Sequence, residues 1–222
     1  MDVICLPHAG GGAGLFSGWQ APAGMRLHPV CLPGRELRIR EPLFHTLDPV
    51  LDWLEEELAD ILDCAHIILG HSMGAVVGHA LCQRRLSVGK RLPRALVVSA
   101  CLPPVLRVRR DLHLLDDTAL LVKLIGFDPE NVALAEHPEL WEMMAPVIRA
   151  DFAVIDDANI SPDQQLPIPI MALCGRADPM VTPTQMTEWV DIGDGFTQHS
   201  FDGGHFYLRN ASVRILQAMS LI

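Results

Sequence analysis

The chain has 222 residues, of which half are hydrophobic and a fifth are charged, a balance that predicts one globular domain over residues 1–222. The formal net charge of −10 excludes nucleic acid from the expected partners, because binding phosphate groups needs a basic face. No apolar run reaches the length that spans a bilayer, so we do not expect a membrane protein or a membrane partner.

The first residues and the cysteines bear on the cellular compartment. Residues 1–11 have no basic region ahead of the first apolar run, so we expect no signal peptide and a cytoplasmic location. None of the six cysteines forms a C-x-x-C pair and most lie in apolar runs, which is typical of buried, reduced thiols. The sequence contains no H-E-x-x-H motif and no cysteine and histidine spacing that suits zinc, so we predict no metal site and no cofactor.

Short apolar segments alternate with helical patterns along the chain. Segments rich in Val, Ile and Leu predict six β-strands, at Val3–Pro7, His28–Leu32, His66–Gly70, Ala95–Ala100, Ile168–Cys174 and Phe196–Phe201. Apolar residues at helical spacing predict helices at Asp48–Leu62, Ser72–Arg85 and Ala211–Ile222. This alternation predicts an α/β fold in which a mostly parallel central sheet is flanked by helices.

Residues 111–157 interrupt the alternation, because they contain no good strand pattern. They predict helices that include Asp117–Ile125 and Pro138–Asp156, with a kink at Pro146. We interpret this stretch as an inserted helical lid, the alternative being ordinary packing helices. Met143 and Met144 are candidates to line an acyl channel beneath it, since methionine adapts to varied shapes, although packing of the lid on the core explains them equally well.

The sequence Gly70-His71-Ser72-Met73-Gly74 is the strongest local signal. It follows an apolar strand and opens a helical run, which is the context of a nucleophile elbow. Such a turn lifts the serine hydroxyl above the sheet, and side chains two positions before and after the serine would collide with neighbouring backbone, so glycine stands there. Ser72 is therefore the predicted nucleophile, the alternative being a plain turn in which Ser72 caps a helix.

A serine nucleophile needs a base and an acid, in the chain order serine, acid, histidine. His205 lies in a glycine-rich loop after the last predicted strand, where parallel sheets carry reactive groups, and we prefer it to His137 and His199. Asp178 follows the fifth predicted strand and is the predicted acid, whose carboxylate would accept the imidazole N–H. Asp202 is the rival acid, but its position three residues before His205 is better explained as a turn cap.

The tetrahedral intermediate of acyl transfer needs two N–H donors for its oxyanion. Met73, directly after the nucleophile, is the first predicted donor. The second should come from the glycine-rich loop His8–Gly14 after the first strand, where backbone can approach a ligand closely. We assign it to Ala9, with Gly10 as the next choice.

Several motifs occur together and in the order of a known family. They are His8–Gly11, Pro33–Glu36 with Arg38 and Glu41-Pro42, the Gly70–Gly74 elbow, Ser99-Ala100 with Pro103-Pro104, Arg149–Phe152 and Gly203–Tyr207. Jointly they resemble the stand-alone type II thioesterases that accompany nonribosomal peptide and polyketide synthases, over nearly the whole chain. The resemblance implies an α/β-hydrolase fold with a helical lid, a triad of Ser72, Asp178 and His205, and an oxyanion hole at Met73 and Ala9.

The family implies a substrate and a partner as well. Its members hydrolyse stalled or aberrant acyl groups from the phosphopantetheine arm of acyl or peptidyl carrier proteins, and we expect a monomer that does the same. Carrier proteins tend to be acidic, so docking needs a local basic patch, for which Arg107, Arg109 and Arg110 are candidates; a solvated surface is the alternative. Where relatives usually have a tyrosine after the Ala-Asp-Phe motif, this chain has Asp156–Asn159, which bears on lid geometry and substrate range.

Other functions use the same residues. A general carboxylesterase or lipase, or a medium-chain fatty acyl thioesterase, would need the same triad. An inactive hydrolase fold that serves as a binding protein is a further alternative, against which the intact Ser72, Asp178 and His205 argue.

Overall fold

The computed structural model describes residues 1–162 and 164–222, which form one six-stranded sheet with helices on both sides. The strands are β1 (Asp2–Leu6), β2 (Arg26–Pro29), β3 (His66–His71), β4 (Leu96–Ser99), β5 (Ile170–Gly175) and β6 (Phe196–Phe201). The α-helices are α1 (Leu47–Glu57), α2 (Ala59–Leu62), α3 (Met73–Ser87), α4 (Asp117–Phe127), α5 (Val132–Glu136), α6 (Pro138–Asp157), α7 (Pro183–Met186) and α8 (Leu208–Met219).

All strand pairs are parallel, and the order across the sheet is β2-β1-β3-β4-β5-β6. β3, β4 and β5 are buried at every position because helices cover both faces, which is why their sequences are almost continuously apolar. The predicted fold class is confirmed. Since parallel strands end at the same edge, the loops after β1, β3, β5 and β6 meet on one side of the molecule.

The second strand is the least accurate of the strand predictions. It pairs with β1 from Arg26 to Pro29, whereas the apolar pattern pointed to residues 28–32. Val30 and Leu32 are buried in the core from irregular backbone after the strand. Their hydrophobicity therefore reports burial and not strand pairing.

The inserted segment between β4 and β5 is helical. α4 and α6 lie within two residues of their predicted bounds, while the short helix α5 was missed. α6 runs through Pro146 as one helix of 20 residues. An apolar cluster packs the segment's own elements together, and Ala9 from the loop after β1 packs against it; its buried members are Leu112, Leu120, Leu124, Ile148 and Phe152. None of the helices in the described residues is both long and apolar enough to cross a membrane.

Candidate active site

Ser72 occupies a strained turn between β3 and α3. Its φ of 53° and ψ of −113° lie in a backbone region that residues other than glycine rarely adopt. Its N–H donates to the Ser99 carbonyl oxygen at 2.8 Å. A Cβ at Gly70 would overlap the Gly74 backbone, and a Cβ at Gly74 would lie 2.6 Å from the carbonyl carbon of Leu6. Both glycines are therefore required by close backbone approach, which is the geometry of a nucleophile elbow.

His205 and Asp178 form a buried pair on the loops after β6 and β5. His205 Nδ1 lies 2.9 Å from Asp178 Oδ2, and the two residues are 4% and 7% exposed. The other carboxylate oxygen accepts from the N–H groups of Met180 at 2.8 Å and Val181 at 3.3 Å. A carboxylate held by these donors fixes the Nδ1–H tautomer of His205, which leaves Nε2 as the basic nitrogen.

Ser72 and His205 line adjoining cavities. The Ser72 cavity has a volume of about 90 Å³ and the His205 cavity about 140 Å³, and Phe152 and Met180 line both. Within the described part of the chain the Ser72 hydroxyl makes no hydrogen bond, so its contact with His205 is not yet formed. Catalytic hydrogen bonds are often long before substrate binds and tighten in the complex.

Two backbone N–H groups near the serine have no acceptor among residues 1–162 and 164–222. Met73 is the first residue of α3, whose first-turn donors lack partners within the helix. Among the described residues Ala9 N–H also makes no hydrogen bond, and Ala9 lines the His205 cavity. The N–H of Gly10, by contrast, donates to Asp151 Oδ2 at 2.7 Å. Of the two residues considered for the second oxyanion donor, Ala9 is the one whose N–H is free.

Sequence reasoning missed a buried hydrogen-bonded chain beneath the elbow. His71 Nδ1 lies 2.9 Å from Ser99 Oγ, which lies 2.6 Å from the Tyr207 hydroxyl. The His71 ring is 5.3 Å from the His205 ring between centroids. Burial holds the pKa of His71 well below its ordinary value, so His71 stays neutral beside the His205 imidazole. Only the motifs that contain Ser99 and Tyr207 signalled these residues in the sequence.

Arg35 and Asp151 are the second pair that sequence reasoning did not place in the site. They form a bidentate ion pair with N···O distances of 2.6 and 2.8 Å, and their side chains are 7% and 3% exposed. Both lie in motifs that carried the family resemblance, but nothing in the sequence indicated that they meet.

The rejected alternatives lie away from the His205–Asp178 pair. Asp202 is 89% exposed in its side chain and pairs with Arg176 at 2.7 Å. His137 precedes α6 and is mostly exposed, and His199 lies on β6 and is partly exposed. The preference for His205 and Asp178 over these residues therefore agrees with where the side chains meet.

The structure separates the two methionines predicted to contact the acyl group. Met144 lines the His205 cavity, whereas Met143 is 53% exposed and lines neither of the two cavities. The two side chains differ because consecutive residues on a helix point about 100° apart, and of the two only Met144 remains next to His205.

One group of potential metal ligands lies beside the Ser72 cavity. Ligand atoms of Asp111, His113 and Asp156 come within 4.8 Å of one another. The carboxylate oxygens already take part in hydrogen bonds within the chain. Arg109 donates to Asp111 at 2.6 Å, and both His113 Nδ1 and the Arg110 N–H lie 3.1 Å from oxygens of Asp156. These contacts join the start of the inserted segment to the end of α6.

Comparisons with known proteins bear on what this site does. A model of the thioesterase domain family matches residues 1–220. The AMB antimetabolite synthetase AmbE of Pseudomonas aeruginosa is 32% identical over 219 residues, which cover 97% of this chain and 10% of AmbE. The probable anguibactin biosynthesis thioesterase AngT of Vibrio anguillarum is 31% identical, over 98% of this chain and 89% of AngT. The structure of RedJ, a thioesterase from the prodiginine pathway of Streptomyces coelicolor, matches with a TM-score of 0.91 at 30% identity, over 100% of this chain and 89% of RedJ.

Proposed function

The chain belongs to the thioesterase domain family and is a thioester hydrolase, and from this premise we propose that Ser72, His205 and Asp178 carry out the hydrolysis. The observation that supports the assignment best is the buried 2.9 Å contact between His205 and Asp178, at the sheet edge where Ser72 stands in a strained turn. The resemblance to thioesterases of nonribosomal peptide and polyketide pathways, predicted from the motifs, is confirmed by relatives that match over nearly their whole length.

In the first half of the reaction Ser72 Oγ attacks the thioester carbonyl carbon while His205 Nε2 takes the hydroxyl proton. The carbonyl oxygen becomes an oxyanion that accepts from the N–H groups of Met73 and Ala9. Asp178 stabilises the imidazolium that forms. The C–S bond then breaks and the leaving pantetheine sulfur takes the proton from His205 Nε2, which restores the neutral imidazole. Because a thiol has a pKa of about 8.5, it departs more easily than an alcohol and depends less on this protonation.

In the second half a water molecule hydrolyses the acyl–serine. His205 Nε2 takes a proton from the water as it attacks, the oxyanion forms again in the same hole, and the proton passes to Ser72 Oγ as the acid leaves. Histidine suits both steps because its unperturbed pKa of about 6.5 allows it to accept and donate a proton near neutrality.

The substrate class follows from the family. The chain hydrolyses acyl groups from the phosphopantetheine arm of carrier proteins in nonribosomal peptide or polyketide synthesis, and so clears stalled or aberrant units. Names of relatives support this, since AngT is described by anguibactin biosynthesis and RedJ by prodiginine biosynthesis. We assign the acyl group and the arm to the apolar Ser72 cavity and the Met144-lined His205 cavity.

Carrier docking is assigned to the segment that enters the inserted helices. Arg107 and Arg110 line the Ser72 cavity, while Arg109 is engaged by Asp111 at 2.6 Å. Arg110→Glu should therefore raise KM for an acyl-carrier protein more than for free acyl-pantetheine, and Arg109→Glu serves as the neighbouring control. Equal effects of the two variants on both substrates would remove the docking assignment.

Hydrolysis of acyl-pantetheine by Ser72→Ala tests the nucleophile. We expect loss of at least about 10³-fold in kcat, because the covalent route is gone. Ser87→Ala, at the exposed far end of the same helix, should keep full activity. Hydrolysis rates of acyl-carrier thioesters and of p-nitrophenyl esters with equal chain length distinguish a carrier thioesterase from a general esterase. Covalent labelling of Ser72 by a fluorophosphonate distinguishes both enzymes from an inactive hydrolase fold. Full turnover by Ser72→Ala would refute the assignment.

A further inference from the structure

The Arg35–Asp151 ion pair holds the loop that carries Ala9. Arg35 Nη1 donates to the carbonyl oxygen of Gly11 at 2.9 Å, in addition to its contact with Asp151. Asp151 Oδ2 accepts from the N–H of Gly10 at 2.7 Å. The ion pair therefore holds the N–H of Gly10 and the carbonyl oxygen of Gly11, which are consecutive in the loop.

The loop also lies directly on α6, the helix that carries Asp151. Gly10 has a φ of +78°, and a Cβ at this position would lie 2.7 Å from Cγ1 of Ile148, one turn before Asp151. Glycine is required here by both the backbone conformation and the close approach. The loop cannot shift toward α6, and its hydrogen bond to Asp151 opposes a shift away from it.

These contacts decide which N–H faces the site. Because the Gly10 N–H is used by Asp151, the peptide that joins Ala9 to Gly10 has a fixed orientation. The preceding peptide, which carries the Ala9 N–H, is joined to it at one residue and keeps its donor free. A preorganised donor of this kind is effective because it needs no reorganisation when charge develops on the substrate oxygen.

An ion pair this deeply buried is weak evidence of a role in stability alone. Removing two charges from water costs several kcal/mol each, and apolar side chains of similar volume often stabilise a core as well or better. What an Arg–carboxylate pair offers is directional, bidentate geometry, together with spare donors and acceptors that can hold backbone. Here Asp151 Oδ2 accepts from Gly10 and Arg35 Nη1 donates to Gly11 in the loop His8–Gly14, which we call the oxyanion loop.

We propose that Arg35 and Asp151 are positioning residues that hold the oxyanion loop with the Ala9 N–H free and make this arrangement depend on the position of α6. The inference rests on the proposed function, because Ala9 matters only if a serine–acyl oxyanion forms. Arg35 and Asp151 belong to the Pro33–Glu36 and Arg149–Phe152 motifs, so the proposal gives these motifs a function. Because Asp151 lies on α6, the inserted segment then influences the rate of acyl transfer.

The test compares variants of this pair with a second buried arginine that lies away from the site. Arg85 is 1% exposed and pairs with Glu55 at 2.7 Å, so Arg85→Lys is the matched control for Arg35→Lys. Lysine keeps the charge but loses the fork that reaches Gly11 and both oxygens of Asp151. In acyl-pantetheine hydrolysis we expect Arg35→Lys to lower kcat about 10- to 100-fold with KM changed less than about threefold, and Arg85→Lys to lower kcat less than about threefold, whatever either does to Tm.

Two variants at Asp151 should lower kcat to different extents. Asp151→Asn retains an oxygen that can accept from Gly10, whereas Asp151→Ala does not, so kcat should fall in the order wild type, Asn, Ala. A trifluoromethyl ketone analogue, whose adduct needs the oxyanion hole, should lose affinity in parallel with kcat. Loss of activity in step with Tm for both the Arg35 and the Arg85 variants, or unchanged kcat in the Asp151 variants, would overturn the proposal. Failure of Ser72→Ala to abolish turnover would instead overturn the proposed function.

Discussion

Replacing Gly74 by alanine tests the elbow without touching a chemical group. A Cβ there would lie 2.6 Å from the Leu6 carbonyl carbon and 2.8 Å from Leu6 Cβ, and closer still to the carbonyl oxygen. Carbon atoms in contact normally lie about 3.5–4.0 Å apart, so the start of α3 must move about 1 Å away from β1. Overpacking usually costs about 1–3 kcal/mol, and this case should reach the upper end because the obstacle is backbone. A displacement of about 1 Å at the nucleophile lowers kcat about 100-fold.

Gly78→Ala is the control, one turn further along the same buried helix. Its Cβ would lie 2.9 Å from Cγ2 of Ile68, a side-chain methyl that can move, and alanine favours the helix by about 1 kcal/mol. Urea unfolding and thioester hydrolysis measured on both variants should show a large loss of stability and turnover for Gly74→Ala and a small change for Gly78→Ala. Equal stability and turnover of the two variants would refute the backbone-contact argument.

The remaining predictions concern stability. Tyr207→Phe removes the 2.6 Å hydrogen bond to Ser99 and should cost about 1–2 kcal/mol, seen as a Tm lower by about 2–8 °C; an unchanged Tm would contradict it. Gly126→Ala should stabilise α4 by about 0.5–1 kcal/mol in urea unfolding, because its Cβ meets no atom within 4 Å, and a loss would contradict this. His79 is buried with no partner on either ring nitrogen among the described residues, and burial lowers its pKa to about 4. As pH falls below about 6.5, His79 gains a proton in the unfolded chain but not in the folded protein, so the free energy of unfolding decreases toward pH 4. His79→Leu removes this decrease. Between pH 7 and pH 5, the free energy of unfolding of wild type should therefore fall by about 2 kcal/mol more than that of the variant. An equal pH dependence in both proteins would show that His79 does not contribute.

Most of the fold could be predicted because burial on both sheet faces leaves continuous apolar segments, and these set the strands within about two residues. Ser72 was predicted from the glycine-flanked turn, and Asp178 and His205 from the rule that the carboxyl ends of parallel strands meet at one edge; the structure brings the last two within 2.9 Å. Local sequence was enough here because the residues that matter stand next to the strand ends.

Contacts between distant segments could not be predicted in the same way. Arg35 and Asp151 are 116 positions apart, and nothing local to either residue indicates the other. Met143 and Met144 are a related case: composition suggests the same role for both, but the rotation of the helix places Met144 in the His205 cavity and leaves Met143 exposed. Family motifs marked several such residues without giving their function.

Within the inserted segment, the second half of α6 makes the contacts to the loop that carries Ala9. All buried residues of this helix lie at Ala145 or later, and none lies in its first seven positions. At its carboxyl end Asp157 Oδ2 accepts from the Leu47 N–H at 2.8 Å, and Asp156 Oδ1 accepts from the Arg110 N–H at 3.1 Å. These two acids attach the helix to α1 and to the start of the inserted segment. Asp151, in the fastened half, holds the oxyanion loop. Pro146, which has no N–H to donate, stands at the boundary between the two halves. The exposed first seven positions of α6 therefore lie apart from the half that contacts the oxyanion loop, whereas Leu120 and Leu124 of α4 pack on that half.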